Sequence, residues 1–190
     1  MNSYPPLKYS PALSDLILEG LTEVLGEARM EDLAASLDAS LAPFDLESLR
    51  QALVMAYGNH SAAGMMVRAG RAAFSRLLLR YAAELGFEEQ TFRLLAPRRK
   101  MLTALQRLAN WLGIQGAGEF EVGVEEGYWQ WYDRAGFEGA GIPRLWPACP
   151  FLLGMLQELT YWVSSGRVYP IREKDLPQGC VLEITQKPLD

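Results

Sequence analysis

Residues 119–133 have the sequence EFEVGVEEGYWQWYD, and this stretch decides the fold class. Its first half alternates polar and apolar residues, which is typical of a half-buried β-strand. Glu126 and Gly127 are turn residues, and the second half places Trp129 and Trp131 on one face of a returning strand. The stretch therefore predicts a β-hairpin.

A second hairpin is predicted further along the chain. Residues 167–173 and 180–185 have the composition of strands, and residues 175–179 have that of a turn. Pro170 lies inside the first of these segments, which favours a position at the edge of the sheet because proline donates no ladder hydrogen bond. The two hairpins together predict four antiparallel strands.

Helices are predicted before and between the hairpins. Apolar stripes at helical spacing, with proline or aspartate at the starts and glycine at the ends, indicate helices starting near residues 10, 30, 45, 60, 97 and 147. We therefore predict an α+β fold in which a four-stranded antiparallel sheet of two hairpins packs against several helices. Residues 1–50 are predicted to form a helical N-terminal extension of a domain that comprises residues 51–190.

Composition argues against several functional classes. The 190 residues carry a net charge of -5, which disfavours nucleic-acid binding through phosphate neutralisation. With one histidine and two cysteines, a multi-ligand metal site and a disulfide scaffold are not expected. No apolar run reaches the roughly 18 residues of a membrane span. We expect a cytoplasmic protein without a metal or a cofactor.

The charges are distributed unevenly. Residues 1–49 carry a net charge of -7, whereas residues 50–110 carry +7. The acidic part includes a row of carboxylates at i, i+4 spacing, which comprises Asp15, Glu19, Glu23 and Glu27. This row is predicted to be a solvated face or to pack against the arginine-rich segment.

A basic cluster opens the helix that begins at Pro97. Arg98, Arg99 and Lys100 lie in its first turn, where positive charge opposes the helix dipole. The cluster is either an ordinary surface feature or a binding site for phosphate or lipid headgroups.

Three segments, in this order, resemble the 4-vinyl reductase (hydrocarbon-binding) domain and the related small subunits of Golgi tethering complexes. They are GMMVRAGR at residues 64–71, the hairpin at residues 119–133, and CPFLLG at residues 149–154 with the strands that follow. The resemblance covers residues 55–187. It implies a dimer-forming α+β domain that holds a hydrophobic small molecule or an acyl chain.

Two departures from that family limit what the resemblance implies. The tethering subunits carry an acylated cysteine before the helix that precedes the hairpin, but no cysteine lies between Gly86 and Gln115. Many bacterial members have a cysteine after the glutamate that matches Glu173, whereas Lys174 follows here. Covalent acylation and a cysteine metal site are therefore not expected.

The predicted site is an apolar pocket. Large apolar side chains on the long helix, the first hairpin and the late helix are predicted to line it: Met65, Met66, Phe74, Trp129, Trp131, Phe151 and Trp162. The glycine-containing segment 134–146 could gate its entrance. The alternative is that these side chains fill one another's space in a solid core.

The sequence favours a binding module over an enzyme. We predict a sensor or carrier of an apolar small molecule or lipid, with no catalytic residues: His60 is expected at the surface, and Cys149 as a buried structural cysteine. A homodimer is predicted because the late helix is apolar nearly all round. The alternatives are a dimeric structural or interaction protein without a ligand, and an enzyme acting on a tetrapyrrole-like substrate.

Overall fold

A computed structural model of the chain describes residues 6–38, 40, 42–138, 147–175 and 179–189. The helices are α1 Pro11–Leu25, α2 Glu27–Ser36, α3 Leu46–Tyr57, α4 Asn59–Tyr81, α5 Gln90–Arg93, α6 Pro97–Ile114 and α7 Pro150–Val163. The strands are β1 Phe120–Glu125, β2 Tyr128–Asp133, β3 Ile171–Asp175 and β4 Cys180–Thr185. Within these ranges, no helix combines the length and apolar character needed to cross a membrane.

The four strands form one antiparallel sheet in the order β1-β2-β4-β3. Trp131 lies opposite Val122 on one side and Leu182 on the other, and both Trp131 and Leu182 are fully buried. Strand β3 lies at the edge, as predicted, with Pro170 directly before it. The α+β class and both hairpins are confirmed.

Local sequence signals set the starts of two helices as predicted. The Ser10 hydroxyl accepts a hydrogen bond from the Leu13 N–H, and Pro11 occupies the first turn of α1. The Asp45 carboxylate accepts a hydrogen bond from the Ser48 N–H at the start of α3. Both side chains satisfy N–H groups that have no partner inside the helix.

The segment after α4 differs from the prediction. The apolar spacing of residues 60–85, followed by Gly86, predicts one helix over that range, but α4 ends at Tyr81. The chain then turns before the short α5, which was not predicted. Gly86 lies in this turn with a φ of +69°, a conformation that side chains rarely adopt. A Cβ atom at Gly86 would also lie 2.3 Å from an Arg107 guanidinium nitrogen.

The core is built around α4, which packs between α1 and α7. Glycines permit the close approach: a Cβ atom at Gly70 would lie 1.9 Å from the Phe151 carbonyl oxygen, and one at Gly154 would lie 2.0 Å from that of Val67. On the other side, a Cβ atom at Gly20 would lie 2.5 Å from the Ala69 carbonyl oxygen. Gly70 on α4, Gly154 on α7 and Gly20 on α1 are therefore required by the close backbone contacts between these helices.

Two members of the acidic row, Glu19 and Glu23 on α1, pair with arginines of α4, in agreement with one of the two interpretations. Arg80 and Glu19 form an ion pair at 2.7 Å, and Arg76 and Glu23 one at 2.8 Å. Such exposed pairs contribute little stability, so the buried stripe that includes Leu13 is the larger contribution. The division of the chain at residue 50 stays a prediction, while one hydrophobic core includes residues on both sides of it.

Candidate functional site

The seven predicted pocket residues do not share one environment. Five of them lie in the hydrophobic core with at most 3% of their surface exposed: Met66, Phe74, Trp129, Trp131 and Phe151. Met65 is partly buried against that core, and Trp162 is 38% exposed at the other end of α7. An internal pocket between these residues stays a prediction. Five of the seven belong to one contiguous cluster of buried side chains.

A surface groove lies where the second half of α4, the turn at residues 82–89, α5, the start of α6 and the end of α7 meet. We call it the α5–α7 groove. Its volume is about 990 Å³, at the upper end of the usual range for ligand sites. Of the seven predicted residues, Trp162 is the one among its described lining residues.

Aromatic rings form the floor of the α5–α7 groove. The Trp162 ring centroid lies 5.1 Å from that of Phe87 and 6.3 Å from that of Phe92, and the Phe92 and Trp162 rings are nearly parallel. Phe87 and Phe92 are buried, whereas Trp162 is partly exposed. Leu79 and Tyr161 extend the apolar surface and are 85% and 44% exposed. The groove therefore offers a preformed apolar surface to an apolar ligand.

Arg107 holds this aromatic floor in place. Its guanidinium donates hydrogen bonds to the carbonyl oxygens of Leu85 and Gly86 and forms an ion pair with Glu89 at 2.6 Å. Its guanidinium carbon lies 5.2 Å from the Phe92 ring centroid. One side chain thus fixes the turn between α4 and α5 and supports a ring of the floor.

Four charged side chains line the α5–α7 groove: Arg93, Lys100, Glu88 and Glu158. The Lys100 ammonium lies 5.4 Å from the Phe92 ring centroid. Glu158 is paired with Arg71 at 3.0 Å. The groove therefore combines an apolar floor with a polar rim.

The opposite end of α7 is a buried polar cluster. The Glu138 carboxylate accepts hydrogen bonds from the N–H groups of Phe151 and Leu152, and that of Glu173 accepts them from Ala148 and Cys149. Burial raises the pKa of Glu138 to about 8, although the hydrogen bonds from Leu152 and Phe151 favour its charged form. Glu138 therefore satisfies the first N–H groups of α7, and Glu173 satisfies those of the two residues before it.

A disulfide bond ties the same end of α7 to the sheet. It joins Cys149, directly before α7, to Cys180 at the start of β4, with Cα atoms 6.6 Å apart. Cys149 is buried, as predicted, but its pairing was not expected. The Asp133 carboxylate lies within 4.8 Å of both sulfur atoms. Because metal ions bind thiolates, the disulfide form offers only the carboxylate as a ligand.

The predicted gate at residues 134–146 lies partly outside the described residues. Residues 139–146 are not described, whereas Glu138 contacts the N-terminal end of α7. The α5–α7 groove lies at the C-terminal end of that helix. The described part of the segment is therefore not at the groove.

Sequence reasoning missed most of the groove. Phe87 and Phe92 lie in a turn and a four-residue helix, where no periodic pattern marks a buried face. The signal that could have pointed there was the basic cluster at the start of α6, because Lys100 belongs to the groove.

Comparison with solved structures identifies H-NOX domains. A variant of the iron(II) unliganded H-NOX protein from K. algicida superposes with a TM-score of 0.61 at 12% identity, over 94% of this chain and 96% of that chain. A Tt H-NOX variant has a TM-score of 0.56 at 9% identity over the same shares. An oxygen-binding H-NOX domain related to soluble guanylate cyclases has a TM-score of 0.54 at 10% identity, over 93% and 94%. No family model and no curated protein matches the sequence.

These structures correct the resemblance drawn from the sequence. The likeness to the 4-vinyl reductase domain and the Golgi tethering subunits is wrong, because the structural neighbours are H-NOX domains. The motifs that carried it were a helix with small residues, a hairpin and a late apolar helix, and such elements occur in many unrelated proteins. The chain has the architecture of an H-NOX domain along nearly its whole length.

Proposed function

We propose that this chain is a binding module, a sensor or carrier, for an apolar small molecule held in the α5–α7 groove. The observation that carries the proposal is the aromatic floor of Phe87, Phe92 and Trp162 beside the exposed Leu79 and Tyr161. Large apolar side chains left exposed around a concave surface are typical of binding sites. The fold agrees with this role, since one structural neighbour is described as an oxygen-binding domain.

The structural neighbours raise the question of heme, because one of them is described through its heme redox potential. Heme iron is held in proteins by histidine, cysteine, methionine or tyrosine. The single histidine, His60, is exposed at the start of α4, and both cysteines are in the disulfide. Tyr9 is buried, which raises the pKa of its hydroxyl and disfavours a phenolate ligand.

Packing also argues against heme in the described interior. Met66, Met101 and Met155 lie in the core with at most 2% of their surface exposed. The backbones of α4 and α7 meet at Gly70 and Gly154, where not even a Cβ atom would fit. The candidate iron ligands considered among the described residues, His60, Tyr9 and the two cysteines, do not fit heme. The proposed ligand binds without iron.

The homodimer predicted from the sequence remains an alternative occupant of the same surface. Leu79, Tyr161 and Trp162 could be covered by a second copy instead of a ligand. In that case the function would be structural. The third alternative, an enzyme acting on a tetrapyrrole-like substrate, is not favoured by any observation in the described part of the groove.

The test uses an uncharged fluorescent probe, the methyl ester of dansylaminoundecanoic acid, titrated against the full chain. We expect saturable binding with energy transfer from tryptophan to the dansyl group. Leu79→Ser should weaken binding, because it removes apolar surface from the groove. Met55→Ser is the matched control, since Met55 is 88% exposed and lies on α3 away from the groove.

The outcomes separate the two functions. A monomer in light scattering that binds the ester, with affinity reduced by Leu79→Ser alone, supports the proposal. A dimer that binds no ester, and that Leu79→Ser dissociates, overturns it in favour of the structural alternative.

A further inference from the structure

We infer that the ligand of the α5–α7 groove is an amphipathic anion, a single apolar chain or ring system that ends in a carboxylate or a similar acid group. This inference rests on the proposed function and goes beyond it by naming the charge of the ligand. It is carried by the charges around the groove.

Two cations of the groove have no acidic partner. Neither Arg93 nor Lys100 forms an ion pair with any residue in the described part of the chain. Arg93 is exposed, and Lys100 is half-buried with its ammonium against Phe92. Both side chains are therefore available to an acid group, and Arg93 can bind it through two parallel hydrogen bonds.

The acids of the groove do not cancel these cations. Glu158 is engaged by Arg71, which leaves Glu88 as the one lining acid without an ion pair among the described residues. No acidic residue occurs between residues 90 and 118, whereas Arg98 and Arg99 lie beside Lys100 in the same helical turn. The potential at this end of the groove is therefore positive.

Apolar surface and positive charge lie next to each other in the groove. Lys100 contacts Phe92, a ring of the floor, so an acid group at Lys100 leaves the rest of the ligand in contact with Trp162. A neutral apolar ligand would use the floor but leave the cations unpaired. A charged group without an apolar part would gain only weak, solvent-screened ion pairs.

The experiment compares dansylaminoundecanoic acid with its methyl ester, which lacks the negative charge and carries one additional methyl group. At low ionic strength the acid should bind about five- to tenfold more tightly than the ester, which is what one or two partly exposed ion pairs provide. This preference should decrease as salt is added, because salt screens exposed charges.

Variants locate the effect. The double variant Arg93→Gln/Lys100→Gln should lose the preference, so that the acid and the ester bind with similar affinity to this protein. Glu88→Gln should strengthen the preference by removing the uncommitted acid. The matched control is Arg98→Gln/Arg99→Gln, which removes the same net charge outside the groove lining and should keep most of the preference.

Each outcome has one meaning. Equal affinity for acid and ester overturns this inference and leaves the proposed function intact, whereas no binding of either probe overturns the proposed function as well. If the Arg98/Arg99 control loses the preference for the acid as fully as the Arg93/Lys100 variant does, the preference comes from net charge. That result also overturns the inference. A third outcome is that the protein pellets with anionic vesicles and that Arg93→Gln/Lys100→Gln abolishes this pelleting. The two cations would then bind a membrane surface, which contradicts a free amphipathic ligand.

Discussion

The two ends of α7 differ in how completely their polar and apolar groups are paired or packed within the protein. At the N-terminal end, Glu138 and Glu173 accept hydrogen bonds from backbone N–H groups, and a disulfide joins Cys149 to the sheet. At the C-terminal end, Tyr161 and Trp162 expose aromatic surface to the α5–α7 groove. Both ends belong to one helix with a nearly continuous apolar sequence.

This difference separates structure from function. Buried polar groups that are fully hydrogen-bonded fix a unique arrangement and leave nothing for a ligand to pair with. Exposed aromatic rings and unpaired cations are unsatisfied in the free protein, so a ligand can gain free energy there. We therefore expect substitutions at the N-terminal end to change stability, and substitutions at the C-terminal end to change binding.

The largest effect on stability is expected from Gly154→Ala. The added Cβ atom would lie 2.0 Å from the Val67 carbonyl oxygen, so α4 and α7 must separate. We expect a loss of about 3–5 kcal/mol in the free energy of unfolding, measured by urea denaturation. Gly64→Ala is the control, because nothing lies within 4 Å of its added atom. It should stabilise the protein by about 0.5–1 kcal/mol through helix propensity, and a similar loss in both variants would refute the close-contact explanation.

The next effect comes from the disulfide. Cys149 and Cys180 are separated by 31 positions, and opening a loop of this size typically costs about 2–4 kcal/mol. Cys149→Ala/Cys180→Ala should lower the free energy of unfolding by that amount and leave the affinity for the ester unchanged. A loss of ester binding without a loss of stability would place the disulfide at the binding site instead.

The disulfide also bears on where the protein works. Disulfides persist in oxidising compartments and are rare in the cytosol. The cytoplasmic location expected from the sequence therefore remains a prediction. Thiol labelling of the protein in cell extract, with and without prior reduction, measures which form is present.

The sequence predicted regular elements well and tertiary pairings poorly. The alternation around Val122 and the proline at Pro170 are local signals, and they gave the hairpin and the edge strand correctly. The Cys149–Cys180 bond depends on where α7 packs against the sheet, which no local spacing encodes. Glu138 was missed for a related reason. Glutamate is usually exposed, and the burial of Glu138 depends on the elements that pack around it.

Glu138 should make stability depend on pH. Burial raises its pKa in the folded protein to about 8, above its value of 4.5 in the unfolded chain. The folded state therefore binds the proton more tightly than the unfolded chain does. The stability that this proton contributes is fully present below about pH 4.5 and is lost as the pH rises through about 8. We expect the free energy of unfolding to fall by about 2 kcal/mol between about pH 5 and pH 7.

The variant Glu138→Gln tests that assignment. It should be less stable at low pH, because an amide accepts only one of the two N–H hydrogen bonds at α7, but its pH slope should be flatter. Burial also raises the pKa of Asp133, so part of the slope should remain in this variant. Identical slopes in the two proteins would show that Glu138 does not titrate in this range.

The smallest effect on stability is expected at the groove, from Tyr161→Ala. Tyr161 is 44% exposed, so its truncation removes little buried surface, and the free energy of unfolding should change by less than about 1 kcal/mol. Its ring borders the α5–α7 groove, so the affinity for the dansyl ester should fall severalfold. Val124→Ala, at a 55% exposed position outside that groove, should change neither quantity. If Tyr161→Ala destabilised the fold as much as the loss of the disulfide and left ester binding intact, the C-terminal end of α7 would be a structural element like the N-terminal end. The contrast between the two ends would then not distinguish a binding surface from a packed one.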